Sequence, residues 1–156
     1  MSALTKKNYN IKVILTNGGS RFITPLSLQV LSKNYVYTDM FDEKCPDKII
    51  HIDLAKWANI FLIAPASANM ISKIANGIAD DLLSATSLVI RCTKVIAPAM
   101  NTNMYENYII QENLKKLEKD NYKIIEPRKS LLACGDFGTG ALEEIPKILD
   151  FLENLK

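Results

Sequence analysis

Apolar positions recur along the chain in two rhythms. Short unbroken runs at 60–63 and 94–98 suit strands buried on both faces of a parallel sheet. Between and after them the spacing turns helical, as in 145–155, where Ile145, Ile148, Leu149, Leu152 and Leu155 return about every third or fourth residue. The reading in order begins with the last turns of a helix over 2–9 and a strand over 10–15. A proline-led helix follows over 25–31, carrying Leu26, Leu28, Val30 and Leu31, and then an irregular connection over 33–48. The helix after His51 turns Ile52, Ala55 and Trp57 inward. Beyond it the strand at 60–63 stops at Pro65, and Ser67 or Asn69 caps the next helix. Asn76-Gly77 ends that helix, and a second covers 78–89 with Asp80 and Asp81 in its first turn. The remaining elements are the strand at 94–98, a helix over 107–120 with Leu114 and Leu117 inward, a last strand over 122–126, a glycine-rich loop over 131–142 and a closing helix. Strands alternating with helices make an open α/β fold, whose binding crevice lies at the carboxyl ends of the strands.

Composition narrows the function more than the fold. A chain of 156 residues reads as one domain, spanning 1–156, with a core of its own. The net charge of +2 carries no nucleic-acid footprint, and no apolar run is long enough to span a membrane. Cys45, Cys92 and Cys134 are odd in number and lack metal-ligand spacing. With no signal peptide in view, they predict reduced thiols in a cytoplasmic protein, with no metal site.

Three turns carry candidate chemistry. Residues 65–69, Pro-Ala-Ser-Ala-Asn, end one strand on small and polar residues that let backbone approach a ligand. Residues 98–108, PAMNTNMYENY, end the next strand, and on spacing alone Met100 and Met104 fill gaps while Asn101 makes a turn. Residues 133–142, ACGDFGTGAL, set three glycines around Cys134 and Asp136. That pattern is either a surface turn or a mobile loop that presents the thiol. A fourth stretch, TNGGS at 16–20, reads as an anion-binding turn or an ordinary one. No GxGxxG dinucleotide fingerprint is present.

These three segments, in this order, resemble the motifs of the flavin-containing cysteine decarboxylases. The first is similar to that family's PASANT motif with Met70 in place of Thr. The second is similar to its Pro-x-Met-Asn-x-x-Met-Trp signature with Tyr105 in place of Trp, and the third to the substrate clamp of the phosphopantothenoylcysteine decarboxylase branch. The resemblance covers the chain from Val13 onward. It implies a three-layer, Rossmann-like (flavodoxin-like) parallel sheet with helices on both faces, FMN as cofactor, and a trimer or a dodecamer of trimers. Aligned this way, the family's first βα unit and its phosphate turn are missing, so a gap beside the central strand is expected.

The resemblance also assigns residues. A lone histidine by itself reads as structural, but His51 stands in the His-x-x-Leu-x-x-Trp-Ala context of the family's active-site histidine, and imidazole suits proton transfer near neutral pH. Asn101 corresponds to the residue that binds the substrate carboxylate, with Met104, Ala133, Gly135 and Asp136 around the substrate. Cys134 corresponds to the proton donor of the last step. Thr16, Phe22, Ser67, Ala68, Asn69 and Ala99 would border the flavin. The implied reaction is decarboxylation of a small phosphorylated cysteine conjugate on the way to coenzyme A. Two rivals are a peptidyl-cysteine oxidative decarboxylase that stops at the enethiol, and a non-catalytic relative that acts through partners.

Overall fold

The computed structural model describes residues 1–41 and 49–155; Cys45, read as a bystander, lies outside the described residues. They form two compact units, one of Met1–Trp57 with Ala79–Ile90 and one of Ala58–Ile78 with Arg91–Lys156. Both are α/β in character, and every pairing among β1 to β5 as defined below is parallel.

In the first unit α1 (Ser2–Lys6) leads to β1 (Val13–Ile14), which pairs with β2 (Val36–Tyr37) across α2 (Pro25–Ser32). Leu15, Leu28 and Val36 bury their side chains together there. The strand β2 corrects the reading of 33–48 as irregular. Two valine and tyrosine residues suffice, because Asn34 Nδ2 donates to the carbonyl of Ile11 at 2.9 Å and holds the segment beside the first strand. Thr24 caps α2, accepting from the Ser27 amide at 3.2 Å, with Pro25 at the first helical position.

The unit continues with α3 (Ile50–Trp57) and, after the chain has passed through α4 (Ala68–Ala75) of the other unit, with α5 (Leu82–Val89). Leu54 is the buried residue of α3, whereas Trp57 is 38% exposed, with Lys12 Nζ 4.6 Å from the centre of its ring. Ile52 and Ala55 are half-buried, so of the three residues expected inward only Trp57 turns out. Helix α5 starts four residues later than the sequence suggested. Asp81 forms a capping box with Ser84, its carboxylate accepting from the Ser84 amide at 2.8 Å, so Asp80 and Asp81 precede the first turn.

In the second unit β3 (Ile60–Ala66), β4 (Thr93–Pro98) and β5 (Tyr122–Ile124) form a parallel sheet in the order β3-β4-β5. Strand β3 runs through Pro65 instead of stopping there. The register shifts between Ile63 and Ala66, which accommodates a residue without an amide hydrogen, and Ala66 then pairs with Pro98. Behind the sheet, α4 meets α7 (Tyr108–Lys119), which follows the short α6 (Thr102–Tyr105). Asn113 Nδ2 donates to Ser72 Oγ at 3.2 Å and Lys116 Nζ to Asn76 Oδ1 at 3.0 Å, while Leu114 and Leu117 point inward. The strand β5 is not the last. Residues read as a glycine-rich loop form an antiparallel hairpin, β6 (Arg128–Leu131) with β7 (Phe137–Ala141), and α8 (Ile145–Glu153) closes the chain on Ile148, Leu149 and Leu152. Glycine's low strand preference misled the sequence reading, because here close packing decides the conformation.

Candidate active site

The two strand ends of the central sheet lie side by side. The Ala99 amide donates to the Ala66 carbonyl at 3.0 Å, which ties the turn after β4 to the end of β3. Past that point Ser67 caps α4, its hydroxyl accepting from the Met70 amide at 3.3 Å. Ser67 takes the capping role, Asn69 does not, and both are exposed beside the first turn of α4.

Asn101 is oriented by the backbone that follows it. Its Oδ1 accepts from the Asn103 amide at 2.9 Å as the N-cap of α6, which fixes which end of the carboxamide is which. Nδ2 is thereby turned outward as a donor, and it meets the sulfur of Cys134 at 3.3 Å. The Cys134 thiol in turn donates to Asp136 Oδ2 at 3.4 Å. Three of the residues singled out from the sequence, thirty-five positions apart at the extremes, thus form one chain of polar contacts.

The hairpin reaches Asn101 through two glycines. The Met100 amide donates to the Gly140 carbonyl at 2.9 Å, and a Cβ at position 140 would lie 2.2 Å from the Met100 carbonyl oxygen. A Cβ at position 138 would lie 2.3 Å from Thr102 Oγ1. Position 140 cannot carry a side chain while the backbones stay this close, and at position 138 one would displace the Thr102 side chain. At the tip, the Leu132 amide donates to the Asp136 carbonyl at 2.8 Å and closes the turn that carries Ala133, Cys134 and Gly135.

Sequence reasoning missed Gly138, Gly140 and Thr102. The alternation Gly-Thr-Gly was the available signal, since residues two apart share one face of a strand. Thr102 Oγ1 is buried with no hydrogen-bond partner among the described residues and serves as the surface on which Gly138 rests. Met104 is 48% exposed, so it does not fill a core gap. Tyr105 donates its phenol hydrogen to Glu126; burial first, and then this bond, pushes its pKa upward, so the phenol stays a donor. Cys92 is half-buried, and burial also pushes its thiol up, the opposite of an activated nucleophile.

Thr16, Phe22 and His51 belong to the first unit. Thr16 Oγ1 accepts from the Gly19 amide at 3.1 Å, within a turn that continues as a short 3-10 helix, Gly19–Arg21. Phe22 is 93% exposed among the described residues. His51 lies in the first turn of α3, and its Nδ1 is buried without a partner among the described residues. In the first unit the exposed Phe22 ring and, among the described residues, the unpartnered His51 Nδ1 offer an aromatic face and a polar atom to a bound ring; in the second unit a strand end of short side chains leads into a helix N-terminus.

Among the described residues no helix is long and apolar enough to cross a membrane. The family profile described as Flavoprotein matches residues 1–155. A probable phosphopantothenoylcysteine decarboxylase of Streptococcus mutans is 49% identical over 152 residues, covering 96% of this chain and 85% of the relative. The coenzyme A biosynthesis bifunctional protein CoaBC of Bacillus subtilis is 47% identical over 152 residues; the chain spans 37% of that longer protein. Among solved structures, a PPC decarboxylase mutant complexed with pantothenoylaminoethenethiol superposes with a TM-score of 0.90 at 30% identity, covering 98% of this chain and 86% of that one. The FMN binding protein AtHal3 gives 0.85 at 33% identity, covering 98% and 85%. With the profile spanning almost every residue and a close relative matched along most of its length, the chain belongs to the Flavoprotein family, among the phosphopantothenoylcysteine decarboxylases, and its cofactor is a flavin.

Proposed function

We propose that this protein decarboxylates 4'-phosphopantothenoylcysteine to 4'-phosphopantetheine for coenzyme A synthesis, with FMN as its flavin. The observation that carries the reading is the fixed carboxamide of Asn101. Because Asn103 holds Oδ1, only the donor end faces Cys134, and a donor is what a carboxylate requires. An uncharged donor also suits a group that must leave as neutral CO₂.

The flavin, when bound, supplies a two-electron sink for the cysteinyl CH₂–SH carbon and returns the hydride at the end. The chain's own residues orient the substrate and move protons. His51 takes the substrate thiol proton as the thioaldehyde forms; its buried Nδ1, without a partner among the described residues, supports a polar neighbour brought by a ligand. Asn101 holds the carboxylate until CO₂ departs and leaves an enethiolate. Cys134, within reach of the same amide, returns a proton to the carbon that lost CO₂. Met104, Ala133 and Gly135 border the substrate, and Asp136 stands beside the thiol. By their match to the family's motifs, Thr16, Phe22, Ser67, Ala68, Asn69 and Ala99 border the flavin. The exposed Phe22, Leu26 and Val30 support self-association, for which the resemblance implies a trimer or a dodecamer of trimers, and the unpaired cysteines with no signal peptide in view support a cytoplasmic place.

The test is to mix the purified protein with the substrate and follow products by mass. Release of CO₂ with the saturated thiol as end product supports the reading. Accumulation of the enethiol by the unmodified protein would instead favour an oxidative decarboxylase. The cofactor released on denaturation distinguishes FMN from other flavins by its mass.

A further inference from the structure

The thiol of Cys134 has two polar neighbours that meet it with opposite chemistry. Asn101 Nδ2 gives it a hydrogen at 3.3 Å, and Asp136 Oδ2 takes its hydrogen at 3.4 Å. The second contact exists only while sulfur carries its proton, because a thiolate has no hydrogen to give. On the decarboxylase reading, Asn101 turns its donors to the substrate carboxylate, and the tie from Asn101 to sulfur is then surrendered. Asp136 is the neighbour that remains. Its place does not depend on its side chain, since its backbone carbonyl is what closes the hairpin turn with the Leu132 amide.

We propose that Asp136 is the positioning residue of Cys134: its carboxylate, two residues along the hairpin turn, holds the thiol hydrogen and sets the direction of the sulfur while Asn101 is engaged by substrate. This rests on the reading above for its consequence, though the contact itself does not. In the last step the thiol turns its one hydrogen from Asp136 to the substrate, the Cys134 S–H bond breaks and a C–H bond forms at the carbon that has lost CO₂. The electron pair of the enethiolate double bond takes the proton, and the negative charge is left on the Cys134 sulfur. The two electrons that complete the reduction would be supplied by the flavin, which took two from the same substrate, so no outside reductant is needed. Cys134 and Asp136 are both exposed, so water restores the proton. Asp136 neither gains nor loses one, and it does not touch substrate in this role.

Asp136→Ala and Asp136→Glu decide the matter through two readouts. With substrate supplied to the flavin-loaded protein, Asp136→Ala, which removes the acceptor, should raise the ratio of enethiol to saturated thiol about tenfold, the size of effect a misdirected acid gives, with KM nearly unchanged. Asp136→Glu, which keeps an acceptor, should recover part of the normal ratio. On the protein without substrate, alkylation by iodoacetamide is followed peptide by peptide. The Cys134 rate should rise about threefold in Asp136→Ala, with the Cys92 rate unchanged as an internal control. An unchanged product ratio overturns the proposal, whatever the alkylation rate does, and so does a raised KM with a normal ratio, which would make Asp136 a substrate ligand. If the unmodified protein forms no product at all, the decarboxylase reading fails, and the alkylation rates then decide the Cys134–Asp136 contact by themselves.

Discussion

In the three-stranded sheet of the second unit, Val95, Ile96 and Ala97 are 0% exposed; in the hairpin of the same unit, Leu131 and Phe137 are 68% and 69% exposed. Both regions carry site residues, yet they hold them by different means. The sheet places Ala99 and Asn101 through burial, with apolar strands enclosed on both faces and turns emerging from their ends. The hairpin has little apolar surface to bury. It is positioned where bare glycine backbone lies against Met100 and Thr102, so Cys134 stands where it does because Gly138 and Gly140 lack side chains. The sheet holds the fully buried apolar side chains, and the placement of Cys134 beside Asn101 depends on the hairpin.

That contrast predicts that the two regions fail differently. Ile96→Ala removes a fully buried side chain and should lower unfolding free energy by about 3 kcal/mol, read from urea unfolding monitored by circular dichroism. A loss under about 1 kcal/mol would mean that the sheet is not the stabilising element. Gly140→Ala should do the reverse. The added methyl drives the hairpin from Met100, and a displacement of this kind costs about 100-fold in turnover, with the unfolding midpoint nearly unchanged. Full activity in Gly140→Ala would erase the distinction between the regions.

Smaller changes sharpen the comparison. Asn101→Asp keeps the cap on α6 but replaces the outward donor with an acceptor. It should weaken substrate binding about tenfold, seen as a raised KM, while the helix content stays the same. Ser67→Ala removes the cap of α4 at the end of β3 and should cost about 1 kcal/mol of stability, measured in the same urea titration. Least of all, Tyr105→Phe loses the bond to the exposed Glu126. It should cost about 0.5 kcal/mol, and turnover should hold if Tyr105 supports the turn without touching substrate.

Much of the site could be read from residue order. Pro65 to Asn69 and Pro98 to Asn101 sit at strand ends, as the apolar runs before them implied, and Ser67 is the cap that its position suggested. The errors fall where local preference and tertiary contact disagree. Val36–Tyr37 is too short to announce itself as a strand, and becomes one because β1 offers a partner and Leu15 and Leu28 a core. The glycines of 137–141 argued for a loop, and pairing with 128–131 overrode that preference. Trp57 looked like core and instead lies half-open beneath Lys12, where an aromatic face can hold a cation.

Residue type and spacing alone determined the α/β class and the strand-end turns, because periodicity and turn chemistry are local properties; it was the resemblance of three motifs that singled out Asn101, Cys134 and Asp136. Only the tertiary structure decided that these three touch, which end of the Asn101 carboxamide faces the thiol, and that two glycines are spacers and not hinges. Those facts depend on the approach of backbones distant in sequence, and a pattern read along the chain contains no distance between them.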